Sequence, residues 1–216
     1  MAPGIGMVAF GRPDWNDEAS KVLGHARDSG AEVRHVSSSS DEEFHSMDHG
    51  SIDWREALGS AHWLVNSSNS VLEGESPRMA WAASMIFAEL EGSKSVMVVS
   101  NPDRPGDISQ SWGAVVSKIR QIHVLFIDSE TIPLISEIEG IGQDELLTEI
   151  RLRGMVPIVC TYDPSSGVAV VEHSTGSVKS KVHGSPSPSE WLSRFLCNLP
   201  EAGPGDEGIR RATAAE

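Results

Sequence analysis

Residues 95–130 read SVMVVSNPDRPGDISQSWGAVVSKIRQIHVLFIDSE, and this stretch decides the fold class. Ser95 to Ser100 is a short apolar run without alternation, the pattern of a strand covered on both faces, and His123 to Asp128 is a second. Between them Ile108, Trp112, Val115, Val116, Ile119 and Ile122 recur at helical spacing as one apolar stripe. Asp107 followed by Gln110 forms a helix-start box. A strand, a crossover helix and a parallel strand close right-handedly, so the unit predicts an open, mostly parallel α/β sheet with helices on both faces. Ligands in such sheets sit beyond the carboxyl ends of the strands. Those ends are Asn101-Pro102-Asp103-Arg104 and Asp128-Ser129-Glu130, which makes them the first candidates for a site.

The 216 residues are 39% hydrophobic, enough to bury one sizeable core. A formal net charge of −14 leaves no basic field for phosphates, which argues against nucleic acid or an anionic membrane as partner. No apolar run approaches the roughly 20 residues of a membrane span, and the first residues lack a charged-then-apolar leader pattern, so a cytoplasmic location is expected. Cys160 and Cys197 belong to no CxxC pair and read as small buried hydrophobes.

Along the chain, Gly6 to Phe10 reads as a first strand, ending in Gly11-Arg12-Pro13-Asp14. Asn16 is the expected cap of a helix buried through Ala19, Val22, Leu23 and Ala26, and Ala31 to Val36 is a second strand. Ser37 to Gly50 has no apolar period and is expected to be a mobile loop. Its His45, Asp48 and His49 have metal-ligand chemistry, but nothing nearby would hold them rigid, so they read as a solvated turn. Ile52 to Leu58 is a short helix, Ala61 to Asn66 a third strand, and Ser67 to Glu75 a polar loop that could wall a site. Ser76 with Pro77 starts the next helix, for which Met79, Ala82, Ala83, Ile86, Phe87 and Leu90 are the expected buried stripe. Helices follow near Ile132 to Ile138 and Gln143 to Arg153, then a buried strand Val156 to Tyr162 and its antiparallel partner Val168 to Glu172. Ser177 to Val182 adds an edge strand, and Ser187-Pro188 with Glu190 starts a last helix buried through Trp191, Leu192, Phe195 and Leu196. One domain over residues 1–198 and a disordered tail over 199–216 are expected.

The phosphate loop GxxxxGK[ST], the GxSxG elbow and the HExxH helix are missing from the sequence, and no GxGxxG opens a strand-to-helix turn. The order of segments instead resembles the ribokinase-like (PfkB) carbohydrate kinases, and within them the 2-keto-3-deoxygluconate kinase branch. Gly11-Arg12-Pro13-Asp14, a helix and Gly30 to Val36 resemble that family's GRVGDD passage and the turn into its next strand. Ile52-Asp53-Trp54 resembles DIDW, Trp63 to Ser68 resembles WLHxSGI, and Leu72-Glu73 resembles the end of ALSE. Asn101 to Pro105 is similar to DPNYRP, His123 to Glu130 to DVLLxNEEE, and Thr161 to Gly167 to the TLGxxG nucleotide turn. The matches run collinearly over about residues 7–196.

The resemblance implies a three-layer ribokinase-like fold and transfer of the γ-phosphoryl group of ATP to a sugar hydroxyl. The family performs this with a Gly-Ala-Gly-Asp turn at a helix start, whose N–H groups hold the anion and whose Asp takes the proton. The matching stretch is His183 to Trp191, where Pro186 and Pro188 replace donors and Ser189 falls on the base, with Glu190 adjacent. By the same correspondence Asp103 and Arg104 would face the substrate, and Asp128, Glu130, Thr161 and Gly167 the nucleotide. The segment that precedes GRVGDD in the family has no counterpart, and its lid strands correspond only to Ser37 to Gly50, so the lid is expected to be reduced or absent.

The leading expectation is therefore a degenerate kinase-like domain without efficient phosphoryl transfer, binding a metabolite or a protein. The alternative is an active ATP-dependent sugar or sugar-acid kinase with a rearranged site. ATP and Mg2+ are implied only under that alternative, and no metal site is expected from the sequence. Loss of the lid would expose an edge or apolar patch that a homodimer could cover.

Overall fold

The computed structural model describes residues 4–203 and 205–214. Its centre is a sheet of eight strands: β1 (Gly6–Phe10), β2 (Glu32–Val36), β3 (Trp63–Ser67), β4 (Lys94–Val99), β5 (Val124–Ile127), β6 (Ile158–Asp163), β7 (Val168–His173) and β8 (Gly176–Lys181). The spatial order is β2-β1-β3-β4-β5-β6-β7-β8, parallel from β2 through β6 and antiparallel over the last two pairs. This is a mostly parallel α/β sheet of ribokinase-like type.

Alternate residues of each central strand enter opposite cores, which is why the strands read as unbroken apolar runs. Met7, Val96, Val98 and Phe126 pack on one face beneath α1 (Glu18–Asp28), α8 (Pro188–Ala202) and α9 (Asp206–Thr213). Phe10, Leu64, Met97 and Leu125 pack on the other, with α2 (Asp41–His45), α3 (Trp54–Leu58), α4 (Glu75–Glu91), α5 (Ile108–Ser117), α6 (Ile132–Glu139) and α7 (Gln143–Gly154). On the first face Trp191 stacks between Tyr162 and Phe195, with centroid separations of 5.7 and 5.3 Å.

Several sequence expectations are corrected. Asp17, not Asn16, caps α1, because its Oδ1 accepts from the Ser20 N–H at 3.0 Å. Asp107 precedes α5 but makes no side-chain capping bond, and Val116 points outward at 42% exposure. The expected mobile loop Ser37 to Gly50 holds α2 and a 3-10 turn at His49–Ser51. The anchor is Phe44, buried with its ring 5.6 Å from that of Phe10. The polar stretch after β3 likewise coils into a 3-10 helix, Ser68–Leu72.

The most buried face of α4 is not the expected one, although Ala82, Ala83 and Phe87 of the expected stripe pack half-buried against the core. Ala80, Trp81, Ser84, Met85 and Ala88 are buried, whereas Met79, Ile86 and Leu90 are 49%, 44% and 67% exposed. This helix is apolar on two faces, and periodicity alone cannot choose between them. Ser76 lies inside it, behind a Gly74 cap.

The expected tail is also ordered over its described part. Residues 199–203 finish α8, and α9 packs back through Ile209 and Ala212, with the Trp191 Nε1–H donating to the Thr213 carbonyl at 3.2 Å. Gly208 permits the approach, since a Cβ there would overlap the carbonyl oxygens of Ala202 and Gly203. Pro204, Ala215 and Glu216 of that expected tail lie outside the described residues.

Among the described residues no helix is long and apolar enough to cross a membrane.

Candidate functional site

In the sheet order, β2 lies on one side of β1 and β3 on the other, so the chain changes direction at the β1/β3 pair. The loops that follow the strands splay apart at such a switch point and leave a crevice at the carboxyl ends. A basin of about 610 Å³ occupies that end of the sheet and extends across the loops after β1, β3, β4 and β5.

Each wall is fixed by local chemistry. After β1 the chain turns at Gly11, where a Cβ would collide with the Asp17 carboxylate and the Ser20 hydroxyl. Asp17 Oδ2 accepts from the Arg12 N–H at 2.8 Å and from Ser20 Oγ at 2.6 Å, tying the turn to the start of α1. His35 Nε2 closes this chain on Ser20 Oγ at 2.9 Å, and burial lowers the pKa of that imidazole despite the opposing effect of Asp17 and Asp14. The Arg12 guanidinium reaches Glu73 Oε1 at 3.7 Å across the basin, and the His45 ring bonds the Glu73 carbonyl at 2.6 Å. Lys21 pairs with Glu18 at 2.7 Å. After β3, Asn69 donates through Nδ2 to Ser100 Oγ at 3.1 Å, joining the loops that follow β3 and β4.

Four of the residues expected at a site come together here: Asp103, Arg104, Asp128 and Glu130 all line the basin. Asp128 sits just past β5, with its N–H bonded to the Val99 carbonyl at 2.9 Å. Its burial raises its pKa above the usual carboxylate value, against the opposing hydrogen bond that its Oδ1 accepts from the Glu130 N–H at 3.4 Å.

The other four do not reach the basin. Thr161 is buried in β6 with an unpartnered hydroxyl. Gly167 closes the β6–β7 turn at φ +65°, and its N–H bonds the Asp163 carbonyl at 2.8 Å. Asp163 serves the same turn: hydrogen bonds from the Ser165 and Ser166 hydroxyls hold its pKa down to about 2. Ser189 is 7% exposed, with its Oγ 3.2 Å from that of Ser187. The Glu190 carboxylate pairs with Arg194 at 2.6 Å, and its N–H donates to Ser187 Oγ. His45, Asp48 and His49 are spent separately, on the Glu73 carbonyl, the Gly50 N–H and the Ser76 hydroxyl.

The loop Ser67 to Glu75 walls the basin as expected, through Ser67, Asn69, Leu72 and Glu73, whereas Lys21 and His45 were missed as basin residues. Arg12 and Glu73 stood in the quoted strand-end motifs, but only the switch point, invisible in sequence, sets them opposite each other. The basin has seven acidic linings (Asp17, Glu18, Glu73, Asp103, Asp107, Asp128, Glu130) against three basic ones (Arg12, Lys21, Arg104). With Asn69, Ser100 and Asn101 beside them, this set suits a ligand rich in hydroxyl groups, which carboxylates and amides can accept from and donate to.

The fold is the one seen in PfkB carbohydrate kinases. The chain matches a PfkB protein from Polaromonas sp. with a TM-score of 0.74 at 11% identity, covering 98% of this chain and 94% of that one. It matches 2-dehydro-3-deoxygluconokinase from Thermotoga maritima with a TM-score of 0.70 at 10% identity, covering 98% and 92%. A double mutant of fructokinase from Vibrio cholerae, solved with fructose, ADP and potassium ion, matches with a TM-score of 0.67 at 10% identity, covering 99% and 90%. At these identities the comparison establishes the shared fold. No protein-family profile matches the sequence, and no curated protein matches it.

Proposed function

We propose that the chain is a degenerate PfkB-type carbohydrate kinase that binds a small polyhydroxylated metabolite in the carboxyl-end basin without efficient phosphoryl transfer. The observation that carries this reading is the start of α8. Ser187 Oγ accepts the Glu190 N–H, Pro188 has no N–H to offer, and the Glu190 carboxylate occupies the first turn. A helix start so capped spends the Glu190 N–H on Ser187, has no N–H at Pro188 and sets a carboxylate in its first turn, which leaves it poorly suited to hold an anion. Nor do the basin residues fit a nucleoside triphosphate with its metal. Carboxylates outnumber basic side chains there, which leaves little positive charge for a triphosphate. The free thiols of Cys160 and Cys197 accord with a reducing, cytoplasmic setting as part of the same proposal.

The alternative, an active ATP-dependent sugar or sugar-acid kinase with a rearranged site, is favoured by Asp128. Its raised pKa and its place beside Asp103 and Arg104 give a general base within one basin. Incubation with Mg-ATP and 2-keto-3-deoxygluconate, fructose or related sugars separates the two readings. The expected result is sugar binding by calorimetry, weakened about tenfold in Arg104→Ala, without ADP release. Robust turnover that Arg104→Ala abolishes would establish the alternative.

The partner of the apolar α4 face is, in this proposal, a second copy of the chain. Met79, Ala82, Ala83, Ile86, Phe87 and Leu90 share one face, and small Ala82 and Ala83 at its centre allow close approach. Arg78 and Glu89 lie about three turns apart on one flank, so a two-fold antiparallel pairing sets each Arg78 beside the partner copy's Glu89. Sedimentation should give a concentration-dependent dimer, lost in Arg78→Glu and restored when Glu89→Arg is added. A monomer at every concentration would remove this part of the proposal.

A further inference from the structure

A second cavity, of about 210 Å³, lies at the opposite, amino-terminal end of the parallel strands. The topology brings together the starts of β3, β4, β5 and β6 and the end of β7, and α8 and α9 close the side. Its walls are apolar: the ring of Trp63 and the side chains of Leu199 and Ile209. The Trp63 Nε1–H donates to the Leu196 carbonyl at 3.0 Å, which fixes the ring in place. Three nitrogen-bearing side chains line this apolar space, those of Lys94, His123 and His173, and among the described residues no Asp or Glu lines it.

Two of the three carry unused hydrogen-bonding capacity. His173 ends β7 opposite Ile158 and is 1% exposed. Its Nδ1 lies 3.1 Å from Thr175 Oγ1, while its buried Nε2 makes no hydrogen bond. The nearest carboxylate oxygen to that Nε2, Oδ1 of the exposed Asp206 on α9, is 3.5 Å away and already accepts from Thr175 Oγ1 at 2.8 Å. His123 Nδ1 is likewise buried without a partner. Burial lowers the His123 pKa, Lys94 lowers it further, and Glu89 of α4 opposes them. Lys94 holds its ammonium 5.7 Å from the centroid of the Trp63 ring. Buried imidazole nitrogens without a hydrogen-bond partner are rare, and each can present an N–H to an incoming ligand once its ring is protonated. In a protein of net charge −14, a cavity with basic side chains and no acidic lining selects for an anion.

We propose that this cavity binds a small carboxylate with an apolar body: the body lies on Trp63, Leu199 and Ile209, and the carboxylate is taken by Lys94, His123 and His173. The volume sets the size, since drug-sized ligands need about 300–1,000 Å³. The apolar walls exclude inorganic anions, which would lose hydration there without recovering it. The proposal is independent of any kinase activity, because the cavity shares no residue with the carboxyl-end basin.

The test is a titration of the full chain with benzoate and with benzamide, its neutral isostere, followed by the NMR signals of the His173 and His123 imidazoles and the Trp63 indole. Saturable shifts at all three groups are expected with benzoate, and binding about tenfold weaker with benzamide. Lys94→Met, a change at an exposed side chain, should erase the preference for the acid. Absence of saturable shifts, equal binding of the two compounds, or an unchanged preference in Lys94→Met would overturn the assignment.

Discussion

At the carboxyl ends of β1, β3, β4 and β5, seven acidic residues, three Lys or Arg and one His line a basin of about 610 Å³, whereas at the amino ends one Lys, two His and, among the described residues, no acidic one line an apolar cavity of about 210 Å³. Part of this polarity follows from the helices. Helix starts gather at the carboxyl ends of parallel strands and favour carboxylates, as Asp17 and Glu18 at α1 illustrate. Helix ends gather at the amino ends and favour cations. Capping accounts for Asp17 and Glu18 but not for Asp128, which is partly buried and carries a raised pKa. Dipole complementation does not account for His173 either, since it ends a strand and its Nε2 is buried without a hydrogen bond. The residues that the fold's own electrostatics leave unexplained are the ones to which we assign ligands at each end.

The comparison breaks most severely if the wall between the sheet and α9 is removed. Trp191→Ala deletes the ring stacked between Tyr162 and Phe195 and the bond to Thr213, and should lower unfolding stability by about 3–5 kcal/mol in urea titrations. A loss below 1 kcal/mol, read against that ~1 kcal/mol threshold, would mean that α9 does not dock as described.

A gentler change separates the two ends. Gly208→Ala forces α9 away from the end of α8 and should cost about 1–3 kcal/mol. It should abolish benzoate binding at the amino end and leave sugar binding at the carboxyl end intact, both read by calorimetry. Simultaneous loss of both would show that the ends are coupled.

The smallest expected effect concerns Asp128. Its folded pKa lies above its unfolded value, so between the two the native state binds more protons than the unfolded chain. Stability therefore falls as pH rises through that window, and the charged carboxylate is a liability at neutral pH. Asp128→Asn should raise the Tm slightly at pH 7 and flatten its pH dependence in weak acid. A drop in Tm at neutral pH would show that the hydrogen bond from the Glu130 N–H outweighs the burial of the charge.

Legibility in the sequence followed physical scale. The unit from Ser95 to Glu130 was readable because two-sided burial leaves no alternation in a strand and a crossover helix must carry one stripe. The α4 face was not, because that helix presents Met79, Ile86 and Leu90 on one side and Trp81 and Met85 on another, and only the sheet selects. α9 was hidden because Gly, Ala and charges surround a single large apolar residue, Ile209. Of the eight residues expected at a site, the four at strand ends were gathered into one basin. Thr161, Gly167, Ser189 and Glu190 were not, since turn closure and helix capping use them locally.

The sequence by itself determined the α/β class, the position of the strand ends and the closure of the α8 start, because each depends on neighbours a few residues apart. Tertiary structure alone decided which strand ends adjoin, that β1 and β3 form the switch point, and that Lys94, His123 and His173 meet in one cavity. Those facts depend on sheet order, which the parallel crossovers set over long separations and no local pattern records.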